Sequence, residues 1–156
     1  MADEITVQLK RLPGAELLPL PTRMTAQAAG FDLPAAVAGP TVIEPGEIRV
    51  VQCGFAMAVP PGYEAQVRPR SGLASLHGVT LVNTPGTIDS DYRGEVMVPL
   101  INLGRAAFTI ERGMRIAQML VLPVPEVRLI EVQELDETGR GAGGFGHTGM
   151  KSKDEG

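Results

Sequence analysis

In the segment VRPRSGLASLHG, Arg68 and Arg70 precede Ser71 and Gly72, so two guanidinium groups stand beside a hydroxyl and the first N–H groups of a short helix. That combination suits an anion such as phosphate. Further along, NTPGTIDSDYRGE sets Asp89 and Asp91 close to Tyr92, two carboxylates able to take a proton next to an aromatic ring. The tail, DETGRGAGGFGHTGMKSKDEG, scatters Arg140, Phe145, His147 and Thr148 among seven glycines. A cation and a hydroxyl for phosphate, with an aromatic face for a base, are what an arm closing over a nucleotide needs. Taken singly, each segment also reads plainly, as a strand end with solvated arginines, a charged turn and a flexible linker.

Two better-known phosphate motifs fail on context. The tail matches G-x-G-x-x-G twice, through Gly139, Gly141 and Gly144 and through Gly141, Gly143 and Gly146, but neither match follows an apolar strand or opens a helix. Met150 separates Gly149 from Lys151, which breaks the phosphate-loop pattern.

The elements that must carry these groups are short. Nineteen Gly and 13 Pro in 156 residues interrupt any long helix. With four Phe, two Tyr and no Trp, the core has to be built from Val, Ile and Leu. Apolar runs recur at 5–9, 41–51, 55–60, 63–69, 79–83, 94–102, 108–110 and 115–124, several alternating strictly, as in Ile5, Val7, Leu9 and in Val96, Val98, Leu100. This is the period of a half-buried strand. Turns at Pro45-Gly46 and Pro61-Gly62 leave no room for crossover helices, so the pattern predicts a mainly β chain, an antiparallel sandwich, barrel or jelly roll. One short helix is predicted in SGLASLHG, with Ser71 as N-cap and Gly78 closing it. Residues 1–135 are expected to form the β domain and 136–156 a Gly-rich arm too poor in apolar residues to fold alone.

Charge and composition exclude several partners. Fourteen Lys and Arg against 18 Asp and Glu give a net charge of -4, no field for a nucleic-acid backbone. No apolar run approaches the roughly 20 residues that span a bilayer, and the acidic start MADEITVQLKR is unlike a signal peptide. The lone Cys53, in VVQCGFAMAV, reads as a small buried hydrophobe. A soluble protein of a reducing compartment, the cytoplasm, is expected.

Five blocks in order, AAGFDL at 28–33, RPRSGLA at 68–74, NTPGTIDSDYRGE at 83–95, RGMRIAQM at 112–119 and RGAGGFGHTG at 140–149, resemble the five motifs of the trimeric dUTPases, the deoxyuridine triphosphate nucleotidohydrolases. The resemblance implies a distorted jelly-roll-like β barrel of the β-clip kind, assembled as a homotrimer with sites shared between subunits and the arm supplied by a neighbour. It implies hydrolysis of dUTP to dUMP and pyrophosphate, with Mg2+ as cofactor. By the same resemblance Asp89 polarises the attacking water, Tyr92 packs on the deoxyribose and Asn83 lies in the hairpin that reads uracil, while Thr87, Ile88 and Met97 also line the substrate site. Arg70, Ser71, Gly72 and Gln118 correspond to phosphate-binding positions, and Asp32 to the carboxylate that meets the metal through water. Arg140, Gly146, His147 and Thr148 would surround the phosphates and Phe145 would stack on the base. His147 stands where the motif often has serine.

Two other readings separate from this one. A dCTP deaminase shares the fold but needs a catalytic glutamate in its core and has no such arm; a trimeric interaction module without chemistry would have broken blocks. Pyrophosphate release from dUTP distinguishes them.

Overall fold

Period-two alternation and Pro-Gly turns set the strand lengths. A computed structural model describes residues 4–150. Among them are ten strands and one helix: β1 (Gln8–Arg11), β2 (Phe31–Pro34), β3 (Thr41–Ile43), β4 (Ile48–Ala58), β5 (Tyr63–Arg68), α1 (Ser71–His77), β6 (Val79–Leu81), β7 (Gly86–Ile88), β8 (Glu95–Asn102), β9 (Phe108–Ile110) and β10 (Arg115–Pro123). They pair antiparallel in three sheets, ordered β1-β4-β8-β6, β2-β10-β5-β7 and β3-β9. The expected mainly β class is borne out; the sheets are open ones, not closed into a barrel.

The core is aliphatic, as composition requires. Val96, Val98 and Leu100 point inward from β8 and pack with Leu33, Ile43, Ile110 and Ile116, Phe55 being the one aromatic ring fully buried among them. Among the described residues one polar side chain shares this interior. Asn102, with no exposed surface, donates from Nδ2 to the carbonyls of Ile43 and Ala106, both at 2.8 Å, and accepts the Gly104 N–H at 2.9 Å. Every hydrogen-bonding atom of its amide that is buried is thereby satisfied.

The pairing of β4 with β8 slips between Gln52 and Ala56, a bulge centred on Gly54. Gly54 has φ of +76°, and a Cβ there would stand 2.5 Å from Ala15 Cβ, so only glycine fits. The bulge turns the Gly54 N–H toward the Glu95 carboxylate, which accepts it at 3.0 Å.

The predicted helix forms, but Ser71 is its first residue and not its N-cap. Arg70 holds that position with extended backbone, φ -92° and ψ 129°, and no side chain caps the first turn. The first intrahelical bond, from the Ala74 N–H, is accepted by the Arg70 carbonyl, which makes Arg70 the cap position, and a guanidinium has no acceptor to cap an N–H; it donates instead to the Arg115 carbonyl at 2.9 Å. Gly78 ends the helix with φ of +69°, as expected. The first strand begins only at Gln8, leaving Ile5 before it, and β2 and β7 arise where no apolar run announced them.

The chain divides into two compact units, Met1–Glu126 and Val127–Gly156. All ten strands belong to the first.

Candidate active site

The β-sheet register draws some of the expected residues together in two clusters. In the first, Gln118 of β10 stands directly between Asp32 of β2 and Arg68 of β5. Asp32 Oδ2 accepts from Arg115 Nη1 at 2.8 Å and lies 3.6 Å from Arg70 Nε, so one carboxylate is flanked by two cations. Its second oxygen accepts no hydrogen bond among the described residues. Gln118 donates to the Pro69 carbonyl at 3.0 Å, and its Oε1 is only 2.8 Å from where a Cβ on Gly30 would be, so a bare Gly30 is needed to seat it. Ser71 and Gly72 are exposed in the uncapped first turn of α1, with open space over Gly72. Their N–H groups therefore face outward without a side-chain acceptor. Arg115 is the member of this cluster that sequence reading gave no role; it sat inside the fourth block, but its partner Asp32 is fixed only by strand pairing.

The second cluster forms where β7 turns into β8. Thr87, Ile88, Asp89, Tyr92, Glu95, Val96 and Met97 line a cavity of about 130 Å³. Five of these seven were expected site residues. The turn is closed by the Tyr92 N–H on the Asp89 carbonyl at 3.1 Å, and the Tyr92 hydroxyl donates to the Glu95 carbonyl at 3.0 Å. Asp89 is exposed at the cavity's edge, open to a water or a ligand. Asn83 lies beside β7, its Nδ2 3.1 Å from a Cβ position on Gly86, which again favours glycine there.

The two carboxylates, Asp32 and Asp89, do not meet within one chain. Asp32, Gln118 and Arg68 stand in a row across three strands, while Asp89 follows a fourth strand, β7, past the level of Ala65. With strands about 4.8 Å apart and residues about 3.3 Å apart along each, Asp32 and Asp89 are separated by roughly 20 Å.

The glycine-rich residues belong to the second unit. There a succession of turns runs through Gly141 N–H to Thr138 O, Gly143 N–H to Arg140 O, His147 N–H to Gly144 O and Gly149 N–H to Gly146 O. Arg140 Nε donates to the Gly143 carbonyl at 2.7 Å, and the His147 ring lies against Gly143, 2.5 Å from a Cβ position there. Phe145, fully exposed, takes φ of +34°, Gly146 takes +87° and Thr148 is exposed.

Among the described residues no three His, Cys, Asp or Glu side chains converge to cage a metal. A lone carboxylate with one unbonded oxygen fits a magnesium ion that keeps its own waters and takes its other oxygens from a substrate's phosphates.

Comparison with known proteins adds the family. The dUTPase family model matches residues 17–149. The deoxyuridine 5'-triphosphate nucleotidohydrolase of Caldanaerobacter subterraneus subsp. tengcongensis is 53% identical over 146 residues, which cover 94% of this chain and 99% of that protein. A solved structure of Staphylococcus bacteriophage 80alpha dUTPase with dUPNHPP is 26% identical, with a TM-score of 0.83 over 93% of this chain and 99% of that one. A dUTPase variant from phage phi11 of S. aureus, described with a structural Mg(II) ion, is similar in fold at 24% identity, with a TM-score of 0.74 over 83% of this chain and 97% of that one.

Proposed function

Since this chain belongs to the dUTPase family, we propose that it hydrolyses dUTP to dUMP and pyrophosphate by attack of water at the α-phosphorus. The cavity that gathers Thr87, Ile88, Asp89, Tyr92 and Met97 carries this reading. Asp89 takes the proton of the water as its oxygen bonds to phosphorus, and the bond to the bridging oxygen of the β-phosphate breaks, the electron pair leaving with pyrophosphate. Tyr92 packs against the deoxyribose, where a 2'-hydroxyl would collide with its ring. Asn83 and the neighbouring backbone pair with the uracil edge; a methyl at carbon 5 is excluded by size and cytosine by its inverted donor and acceptor pattern.

Arg70, the outward N–H groups at Ser71 and Gly72, and Gln118 hold the phosphates. Asp32 would hold a magnesium ion through one of its waters, and the ion, bound with the nucleotide, would supply neutralisation of phosphate charge. From residue 136 onward the arm closes over the site, Phe145 on the base and Arg140, Gly146, His147 and Thr148 around the phosphates. Excluding water and fixing the phosphates in this way favours positioning and charge stabilisation, the main sources of rate in such a reaction.

A homotrimer with shared sites is the assembly we propose. The separation of Asp32 from Asp89 supports it, because one short triphosphate has to meet both. So does the outer face of β4 and β8, where Ile48, Val50 and Met97 are exposed together. The product dUMP would feed thymidylate synthesis, and removal of dUTP would keep uracil out of DNA. A free buried thiol at Cys53 suits the cytoplasm.

Hydrolysis in water enriched in oxygen-18 tests the reaction. The label is expected in dUMP; label in pyrophosphate instead would show attack at the β-phosphorus, and no pyrophosphate release from dUTP with magnesium would overturn the reading.

A further inference from the structure

Tyr92 does not reach its position by its own rotamer alone. Its ring lies against the bare backbone of Gly94, where a Cβ would come within 2.5 Å of the ring's Cζ and 3.0 Å of Cε2. Its hydroxyl is held by the Glu95 carbonyl at 3.0 Å. Glu95 in turn is fastened to a different strand: Oε1 accepts the Gly54 N–H at 3.0 Å, at the bulge in β4, and Oε2 accepts Gln52 Nε2 at 2.9 Å. Both are hydrogen bonds to an ionised acceptor, the stronger kind. The bulge, Glu95, the Tyr92 hydroxyl and the ring form one continuous chain of contacts.

From this we infer that Gly94 and Glu95 are positioning residues that set the place of the Tyr92 ring and, through it, the preference for deoxyribose over ribose. The inference rests on the reading of Tyr92 given above. A ring that rejects a single hydroxyl by contact has to be held closely, since in an active site a misplacement of about 1 Å is enough to cost on the order of 10²-fold in rate. Gly94 is absent from the residues with positive φ, so alanine is allowed by the backbone there and its methyl would press first on the Tyr92 ring and hydroxyl.

The test compares kcat/KM for dUTP and for UTP in the full chain and in Tyr92→Ala, Gly94→Ala, Glu95→Ala and Glu95→Gln. The ratio of the two values does not depend on how much of a preparation is folded, so a merely structural defect leaves it unchanged. Gly94→Ala and Glu95→Ala should each lower the preference for dUTP by about tenfold or more, toward the value in Tyr92→Ala. Glu95→Gln should retain it, because the amide oxygen still accepts from Gly54 and the Gln52 amide can turn to offer its own oxygen. Adding Gly94→Ala to Tyr92→Ala should change nothing further, as expected of residues acting through one another. An unchanged preference in Gly94→Ala and Glu95→Ala, with Tyr92→Ala relaxed, overturns the inference alone. An unchanged preference in Tyr92→Ala overturns the role of the ring and the inference with it.

Discussion

Arg115 Nη1 donates to Asp32 Oδ2 at 2.8 Å across adjacent strands, pinning one oxygen of that carboxylate and leaving the other without a partner among the described residues. In the proposed site, an Asp32 aimed in this way would take a metal-bound water without searching for it. Arg115 is itself substantially exposed, so the pair is worth at most about 1 kcal/mol to the fold. Arg115→Met should therefore leave the denaturant midpoint nearly unchanged while raising the magnesium concentration needed for half-maximal turnover. A large loss of stability, with the magnesium dependence unmoved, would make the pair structural.

Asp89→Asn should lose roughly 10²- to 10⁴-fold in turnover, the usual worth of general-base assistance. The amide keeps the shape but cannot accept the proton, so dUTP affinity measured by calorimetry should hold. Asp91→Asn should retain far more activity. Near-normal turnover in the Asp89 variant would remove it from the mechanism.

Fold class was legible because alternation in Val96, Val98 and Leu100 is a local signal, and the structure buries all three. The expected members of the hairpin cavity were legible because they sit within a dozen residues of one another. Pairing across the sheets was not. Arg115 meets Asp32 across 83 positions and Glu95 meets Gly54 across 41, distances at which only the register decides who faces whom. The bulge at Gly54 and the three-residue β7 left too short a pattern to read, and the Arg70 guanidinium finds its carbonyl partner on a strand 45 positions on.

Asn102 is a buried polar residue that composition could not flag. Asn102→Ala would strip partners from the Ile43 and Ala106 carbonyls and from the Gly104 N–H at once. Only the bond to the Ile43 carbonyl is fully buried, and an unsatisfied buried group costs about 1–3 kcal/mol, so a loss of about 1–3 kcal/mol is expected from chemical denaturation. A loss below 1 kcal/mol, in round terms about what one surface contact is worth, would mean water replaces the amide.

Burial, with a smaller contribution from nearby Glu95, pushes the Cys53 thiol up to about 12 from 9.0. The folded chain keeps its proton where the unfolded chain gives it up, so this contribution to stability is whole below pH 9.0 and declines as pH rises toward 12. Unfolding free energies at about pH 8 and about pH 11 should therefore differ less in Cys53→Ala than in the parent protein. Equal differences in the two proteins would contradict the shift.

In the proposed assembly one site is completed by two chains, with Asp89 from one and the glycine-rich arm from another. A chain ending at Leu135 keeps every strand but has no Arg140 or Phe145, whereas full-length Asp89→Asn keeps the arm and lacks the base. Each alone should be nearly inactive on dUTP. Co-expressed and purified as mixed trimers verified by mass, they should regain turnover well above the two parents combined, because a sound Asp89 from a truncated chain can then work beneath an intact arm. Verified mixed trimers no more active than their parents would contradict the shared site.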